Sequence, residues 1–311
     1  MNKENLSVVC VGSNIESLCC LKGFKDNNIR ISGLVTLPFQ DQVRGSDYRD
    51  LVPFCNENNI SYFRTKEINS KEIKDWLRDI NPDVIFILGW SQIFDKELID
   101  LPKKYIIGSH PSDLPYGAGR APVTWTILED LRKSAVSFFK INNNVDSGNL
   151  VLQKHFSISE RTDSMLLYNL VSEHLSKGFI DIYNQIQSGT LSEQKQDMSR
   201  RTVRRKRVFE DGKIDFNNSA TEIDKLIRAT TEPYPGAFSF YKGERCSIWK
   251  SELSNVISSK KQIGELLEIK NDRLLVQCFE STLWLCDITD SLGETIFAEK
   301  FEIAQQFDLD L

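Results

Sequence analysis

Val84-Ile85-Phe86-Ile87-Leu88 places five apolar residues in a row and is closed by Gly89-Trp90-Ser91-Gln92. A run with no polar alternation suits a strand covered on both faces, which is the condition of a parallel sheet. Further apolar-rich runs flank it at residues 6–11, 29–36 and 105–107. Helical stretches separate them, at roughly residues 15–25, 47–58 and 71–79. Strands alternating with helices predict an α/β domain with a doubly wound, mostly parallel sheet. Residues 135–141 and 150–156 read as a hairpin across the loop 142–149, and residues 164–187 as a long amphipathic helix.

Beyond that helix the composition changes. Residues 189–207 are polar, with six basic residues among the eight from 200 to 207. We read them as a solvated linker or an irregular crossover. Ser219 followed by Glu222 is a capping-box pattern and predicts a helix that ends before Pro233 and Pro235. Five short strand-like runs follow, over 237–241, 246–249, 264–269, 273–278 and 282–286, and they predict a small OB-like β-barrel. The expected division is a catalytic domain over 1–188, a linker over 189–215 and a smaller C-terminal domain over 216–311.

The chain of 311 residues is 40% hydrophobic, enough for one large and one small core. A net charge of −5 gives no global pull toward nucleic acid or an anionic membrane. Seven cysteines without a CxxC pair suit a reducing cytoplasm. The polar start of the chain does not read as a signal peptide, and no apolar run reaches bilayer length. Gly12 stands without the second and third glycines of a dinucleotide loop, and no P-loop or G-x-S-x-G motif is present. The three histidines, His110, His155 and His174, have no partners at metal-ligand spacing, so no metal is expected.

His110 stands apart from the other two. It ends the stretch Ile106-Ile107-Gly108-Ser109-His110 and opens a Pro/Gly-broken loop through Pro111, Pro115, Gly117 and Gly119. After the next predicted strand comes Asn142-Asn143-Asn144-Val145-Asp146-Ser147-Gly148. A histidine and an aspartate on two loops that each follow a strand form a candidate acid/base pair.

In order along the chain, five stretches resemble the folate-dependent formyltransferases, the family of methionyl-tRNA formyltransferase and the nucleotide-sugar N-formyltransferases. They are Pro82 through Ile93, His110-Pro111-Ser112 through Pro122, Val145-Asp146-Ser147-Gly148, Glu210 through Phe216, and Ile227 through Phe238. The likeness runs over almost the whole chain. It implies N10-formyltetrahydrofolate as formyl donor and a primary amine as acceptor. It also implies that His110 donates to the developing oxyanion, with Asp146 orienting it and helping to move the proton. Leu88, Gly89, Trp90, Gln92, Asn142 and Val145 are the candidates for folate. One position departs from the family's Asn-x-His pattern, because Gly108 stands where the asparagine is expected. A backbone N–H or a water takes over its role, or Ser109 donates instead, or catalysis is weak; the first is preferred.

For the acceptor we favour a nucleotide-linked amino sugar, with Arg44, Tyr48, Tyr116 and Arg120 as candidate contacts. Initiator tRNA is the alternative. Residues 208–311 hold 11 Lys/Arg against 19 Asp/Glu, a balance of −8, which makes a poor surface for a polyphosphate. A non-catalytic folate or nucleotide binder is the third reading. The aromatic residues Phe238, Phe240, Trp249 and Trp284 suggest a homodimer through the C-terminal domain.

Overall fold

The computed structural model describes residues 5–39, 47–256 and 262–308. The chain forms two compact units. One holds residues up to 122 together with 133–157 and 168–205; the other holds 123–132, 158–167 and 206 onward.

In the first unit the chain alternates as expected: β1 (Val8–Val11), α1 (Ile15–Asp26), β2 (Ile31–Thr36), α2 (Val52–Glu57), β3 (Tyr62–Arg64), α3 (Lys71–Ile80), β4 (Val84–Ile87), α4 (Lys96–Ile99) and β5 (Tyr105–His110). Next along the chain come β6 (Ala118–Gly119), α5 (Pro122–Leu128), which beyond Pro122 belongs to the second unit, the hairpin β7 (Lys133–Lys140) and β8 (Leu150–Ser157), α6 (Ser164–Ser188), which belongs to the first unit from Tyr168 on, and β9 (Val203–Arg204). Seven strands make one sheet in the order β3-β2-β1-β4-β5-β7-β8. It is parallel from β3 to β5, and β7 and β8 complete it antiparallel. The central strands β1 and β4 are buried throughout, as their unbroken apolar runs require.

The core on the α6 side is aromatic. Phe179 of α6 lies 5.0 Å from Phe86 of β4 and 5.0 Å from Phe138 of β7, ring centre to ring centre. Gly178 makes this approach possible, because a Cβ there would stand 2.1 Å from the Phe138 ring. Such tilted and edge-on pairs add to the burial of the rings themselves.

The helix expected over 47–58 is shorter. Residues 47–49 run beside the start of α1 instead, with Ile15 N–H donating to Asp47 O and Arg49 N–H to Ser13 O. Those bonds commit the backbone to an extended path. The helix opens only at Val52, whose N–H donates to Asp50 Oδ1, with Pro53 in its first turn.

The second unit is built on α7 (Ala220–Thr230) and the strands β10 (Ala237–Tyr241), β11 (Glu244–Leu253), β12 (Leu266–Lys270), β13 (Arg273–Cys278) and β14 (Ser281–Thr289). Ser219 caps α7 reciprocally with Glu222. The antiparallel sheet runs β10-β11-β14-β13-β12. Its two edges meet through the end of the chain: Gln306 bridges to Glu265, beside β12, and Asp308 to Phe240 on β10. Phe307 lies between these bridges and is buried against Phe216 and Tyr241. The unit is closed like a small barrel, and closure removes exposed strand edges.

Of the four aromatic residues that suggested a dimer, Phe238 is buried and Phe240, Trp249 and Trp284 are half-buried. Phe238 stacks on Phe209. Phe240 meets Phe238 edge-on. Trp249 Nε1–H donates to Thr289 Oγ1, and the Arg273 guanidinium lies over Trp284.

Candidate active site

His110 is the last residue of β5, at the C-terminal end of the parallel strands, where open sheets bind ligands. Its Nδ1 lies 3.7 Å from Asp146 Oδ2, and both side chains are largely buried. Its Nε2 lies 2.9 Å from Gly117 O. A carbonyl only accepts, so the ring hydrogen of the neutral form sits on Nε2 and Nδ1 carries the lone pair. Burial, above all, lowers the His110 pKa from its ordinary value, while Asp146 acts the other way. Hence the imidazole is neutral near pH 7, with its basic nitrogen turned toward a carboxylate. The 3.7 Å gap is too long for a direct hydrogen bond and suits a proton that arrives between them.

Asp146 is held on several sides. Its Oδ2 accepts from Gly119 N–H at 2.8 Å. Its backbone takes a positive φ of 48°, which aspartate tolerates better than most residues. That strained carbonyl accepts from Gln196 Nε2 at 3.0 Å and from Arg201 at 3.3 Å. Two residues on, a Cβ at Gly148 would stand 1.7 Å from Lys140 O, so only glycine lets the loop close here.

The loop after β5 is tied to the segment before and within β9. Gly117 N–H donates to Thr202 Oγ1, Ala118 N–H to Thr202 O, and β6 pairs in parallel with β9. Arg204 is 6% exposed, and a Cβ at Gly117 would stand 2.8 Å from its Cζ. The solvated linker expected over 200–207 is therefore corrected at Arg204, while residues 200, 202, 203, 205 and 206 are exposed. Gln196, Arg201, Thr202 and Arg204 were all missed as parts of the site. Thr202-Val203 was the available signal, a β-branched pair inside the basic run.

The other candidates divide. Ser109 is separated from the pair. It is paired with Phe138, whose ring lies on α6, and successive strand residues point to opposite faces. It is therefore not placed beside Asp146. Gly108 is paired with Phe139, and a Cβ there would meet Ile141 Cδ1 at 2.5 Å. An asparagine here would require the end of the Ile141 side chain to shift.

Among the folate candidates, Gly89 has a φ of 103° and packs over Asn14. Trp90 lies against the core beside β4, with its Nε1 buried and lacking a hydrogen-bond partner. Val145 is exposed at the turn. Leu88 N–H is committed to Val11 O, and its carbonyl accepts from Ser17 Oγ. Both ends of the Gln92 amide hold the backbone of residues 66–68. Asn142 Oδ1 accepts from Asn144 N–H and Ser147 Oγ, so it shapes its own turn.

Tyr116 lies under the Arg204 guanidinium, and Arg120 N–H donates to Arg204 O, so both border the site. Tyr48 bridges to Asn14 beneath Gly89. Arg44 lies outside the described residues. His155 pairs with Asp113 at 3.0 Å, both exposed, and His174 Nδ1 meets Leu170 O within α6. Among the described residues no group of three or more His, Cys, Asp or Glu side chains is placed to hold a metal. No described helix is long and apolar enough to cross a membrane.

A neutral histidine facing a carboxylate at the open end of an α/β sheet is the equipment of an enzyme that moves protons with side chains. The chain belongs to the formyl transferase family. It matches the formyl transferase domain over residues 2–182 and the formyl transferase C-terminal domain over residues 208–303. It is 26% identical over 288 residues to the methionyl-tRNA formyltransferase of Clostridioides difficile (strain 630), covering 91% of this chain and 92% of that protein. Its fold is similar to that of WlaRD, a sugar 3N-formyl transferase crystallised in the presence of dTDP and 5-N-formyl-THF. The TM-score is 0.66 at 20% identity, over 93% of this chain and 98% of that one. The N-formyltransferase from Helicobacter canadensis, in complex with folinic acid and dTDP-3-aminofucose, gives a TM-score of 0.67 at 19% identity, over 91% and 100%.

Proposed function

We propose that this enzyme transfers a formyl group from N10-formyltetrahydrofolate to the primary amine of a nucleotide-linked amino sugar. The observation that carries the chemistry is the buried His110, with Nε2 on Gly117 O and Nδ1 toward Asp146. The folate supplies an activated formyl carbon when bound. Gly89, Trp90 and Val145 would hold it, and the orphaned Trp90 Nε1–H offers a donor to a polar edge. His110 takes the proton that the attacking amine releases, at Nδ1. Asp146 stabilises the imidazolium so formed and keeps the ring oriented for return of the proton to the leaving nitrogen. This differs from the expected oxyanion-donor role of His110, because its Nε2–H is directed to Gly117 O.

For the acceptor, two features favour a sugar nucleotide. The C-terminal residues 208–311 are acidic, at −8. Three members of the basic run are also engaged within the protein. Arg204 is buried, Arg201 holds the carbonyls of Val145 and Asp146, and Arg207 donates to Asp211 O. A chain that spends its arginines internally has fewer for a phosphate backbone. The tRNA reading is kept because sequence relatives carry that name.

The deciding experiment measures formyl transfer from N10-formyltetrahydrofolate to a panel of nucleotide-linked amino sugars, with methionyl-tRNA in parallel. Turnover on a sugar alone is expected. Turnover on tRNA alone would overturn the acceptor. Folate binding with no transfer to either would favour the non-catalytic reading.

A further inference from the structure

With Gly108 in place of an amide and the His110 Nε2–H directed to Gly117 O, neither of the two groups expected to meet the oxyanion is aimed at it. The first unit nonetheless brings two guanidinium groups to this place from one segment. Arg201 binds the carbonyls of Val145 and Asp146, at 2.9 and 3.3 Å. Arg204 stacks over Tyr116 and backs onto Gly117, the residue whose carbonyl meets His110. A buried guanidinium is costly unless it is well held. Here it is kept in a short parallel pairing with the site's own loop, donating to Pro122 O.

Building on the proposed formyl transfer, we propose that Arg204 and Arg201 are positioning residues that supply the positive field of this site, in place of the side-chain amide that Gly108 lacks. A fixed charge in a water-poor site needs no reorganisation as negative charge develops. It also acts on the neighbouring imidazole. The charged groups facing His110 are Asp146 from the β7–β8 turn and Arg204 and Arg201 from the crossover. Asp113 on its own loop is turned to His155 and Gln153. Burial does most to hold the His110 pKa down, and both arginines add to it in smaller measure, against Asp146. The basic nitrogen therefore stays unprotonated until an amine arrives.

The test uses the full chain and the variants Arg204→Met, Arg204→Lys and Arg201→Met. Two quantities are read: formyl transfer to the active acceptor, and the titration midpoint of His110 by NMR, where the chain has only three histidines to assign. Arg204→Met is expected to lower kcat roughly a hundredfold with KM little changed, and to raise the His110 midpoint. Arg204→Lys keeps the charge and should hold the midpoint low. Arg201→Met, at a half-buried site, should move both quantities in the same direction and by less, and it serves if Arg204→Met does not fold. A midpoint unmoved in the folded Met variants overturns the proposal, as does a Lys variant that titrates like Met. If the wild type transfers formyl to nothing, the proposed function fails by itself. The titration then decides alone: a raised midpoint supports the field and an unmoved one removes it.

Discussion

Two buried aspartates, one in each unit, have opposite surroundings. Asp224 in the second unit has a side chain only 2% exposed. Arg161 grips both of its oxygens at 2.7 and 3.0 Å, Arg228 Nε donates at 2.8 Å and Ser251 Oγ at 2.9 Å. Every acceptor position is filled, so this carboxylate can take on no further partner. Its work is to join residue 161 to α7 and β11. Asp146 receives one backbone N–H and stands 3.7 Å from a neutral histidine. Its remaining capacity faces the site. A saturated buried charge holds structure, and a partly satisfied one is available for chemistry.

The contrast predicts separable failures. His110→Ala and Asp146→Ala should each lower turnover by about 10²–10⁴-fold, with thermal unfolding close to wild type. Near-normal turnover in both would erase the distinction. In the unaltered enzyme, kcat should persist below pH 6.5, the ordinary histidine value, and fall only as pH drops through the depressed pKa of His110. An acid limb centred above 6.5 would contradict the burial effect.

Asp224→Ala should do the reverse. It leaves Arg228 largely buried with its main partner gone, at a cost of about 3 kcal/mol in urea unfolding. The half-exposed Arg161 can turn to water, which keeps the cost near the low end. Formyl transfer per folded molecule should be unchanged, and a selective loss of turnover would blur the comparison.

Glu16 is a third case, a buried carboxyl that keeps its proton. Burial, and after it the charge of Asp47, pushes its pKa up to about 8 from 4.5, with the Asn14 amide opposing. The unfolded chain ionises this group through the window from 4.5 to 8 while the folded chain does not. Stability should therefore fall with rising pH there, by ~1.4 kcal/mol per pH unit at most. Glu16→Gln removes the penalty. Its advantage over wild type should be near zero at acid pH, grow through the window and level off above it. Urea midpoints at three pH values check this, and a pH-independent difference would refute it.

The smallest effect is expected at His155. It makes a shorter contact with Asp113 than His110 makes with Asp146, yet both partners are more than half exposed. His155→Ala should leave turnover within about twofold, since exposed ion pairs contribute little. A large loss would mean that distance outweighs burial in this protein.

Much of the architecture was legible because it rests on periodicity. The runs at β1 and β4 could only be strands covered on both faces, the capping box at Ser219 marked α7, and the five C-terminal runs marked the barrel strands. His110 and Asp146 were legible because each follows a strand within a stretch rich in turn residues. The shortened α2 was not, because residues 47–49 exchange helix bonds for backbone bonds to residues 13 and 15, far away in sequence. The side-chain roles of Gln92 and Asn142 were not, because their amides are spent on particular backbone groups.

By itself the amino-acid sequence determined the layered α/β sheet, the separate antiparallel unit and the family, since hydrophobic pattern and ordered motifs are local properties of the chain. Tertiary structure alone decided that Ser109 points away from the pair, that the end of Ile141 lies beside Gly108, and that Arg204 leaves a basic run for the interior. Each of those depends on which strand face meets which neighbour across a long sequence separation, and that is settled only when the sheet assembles.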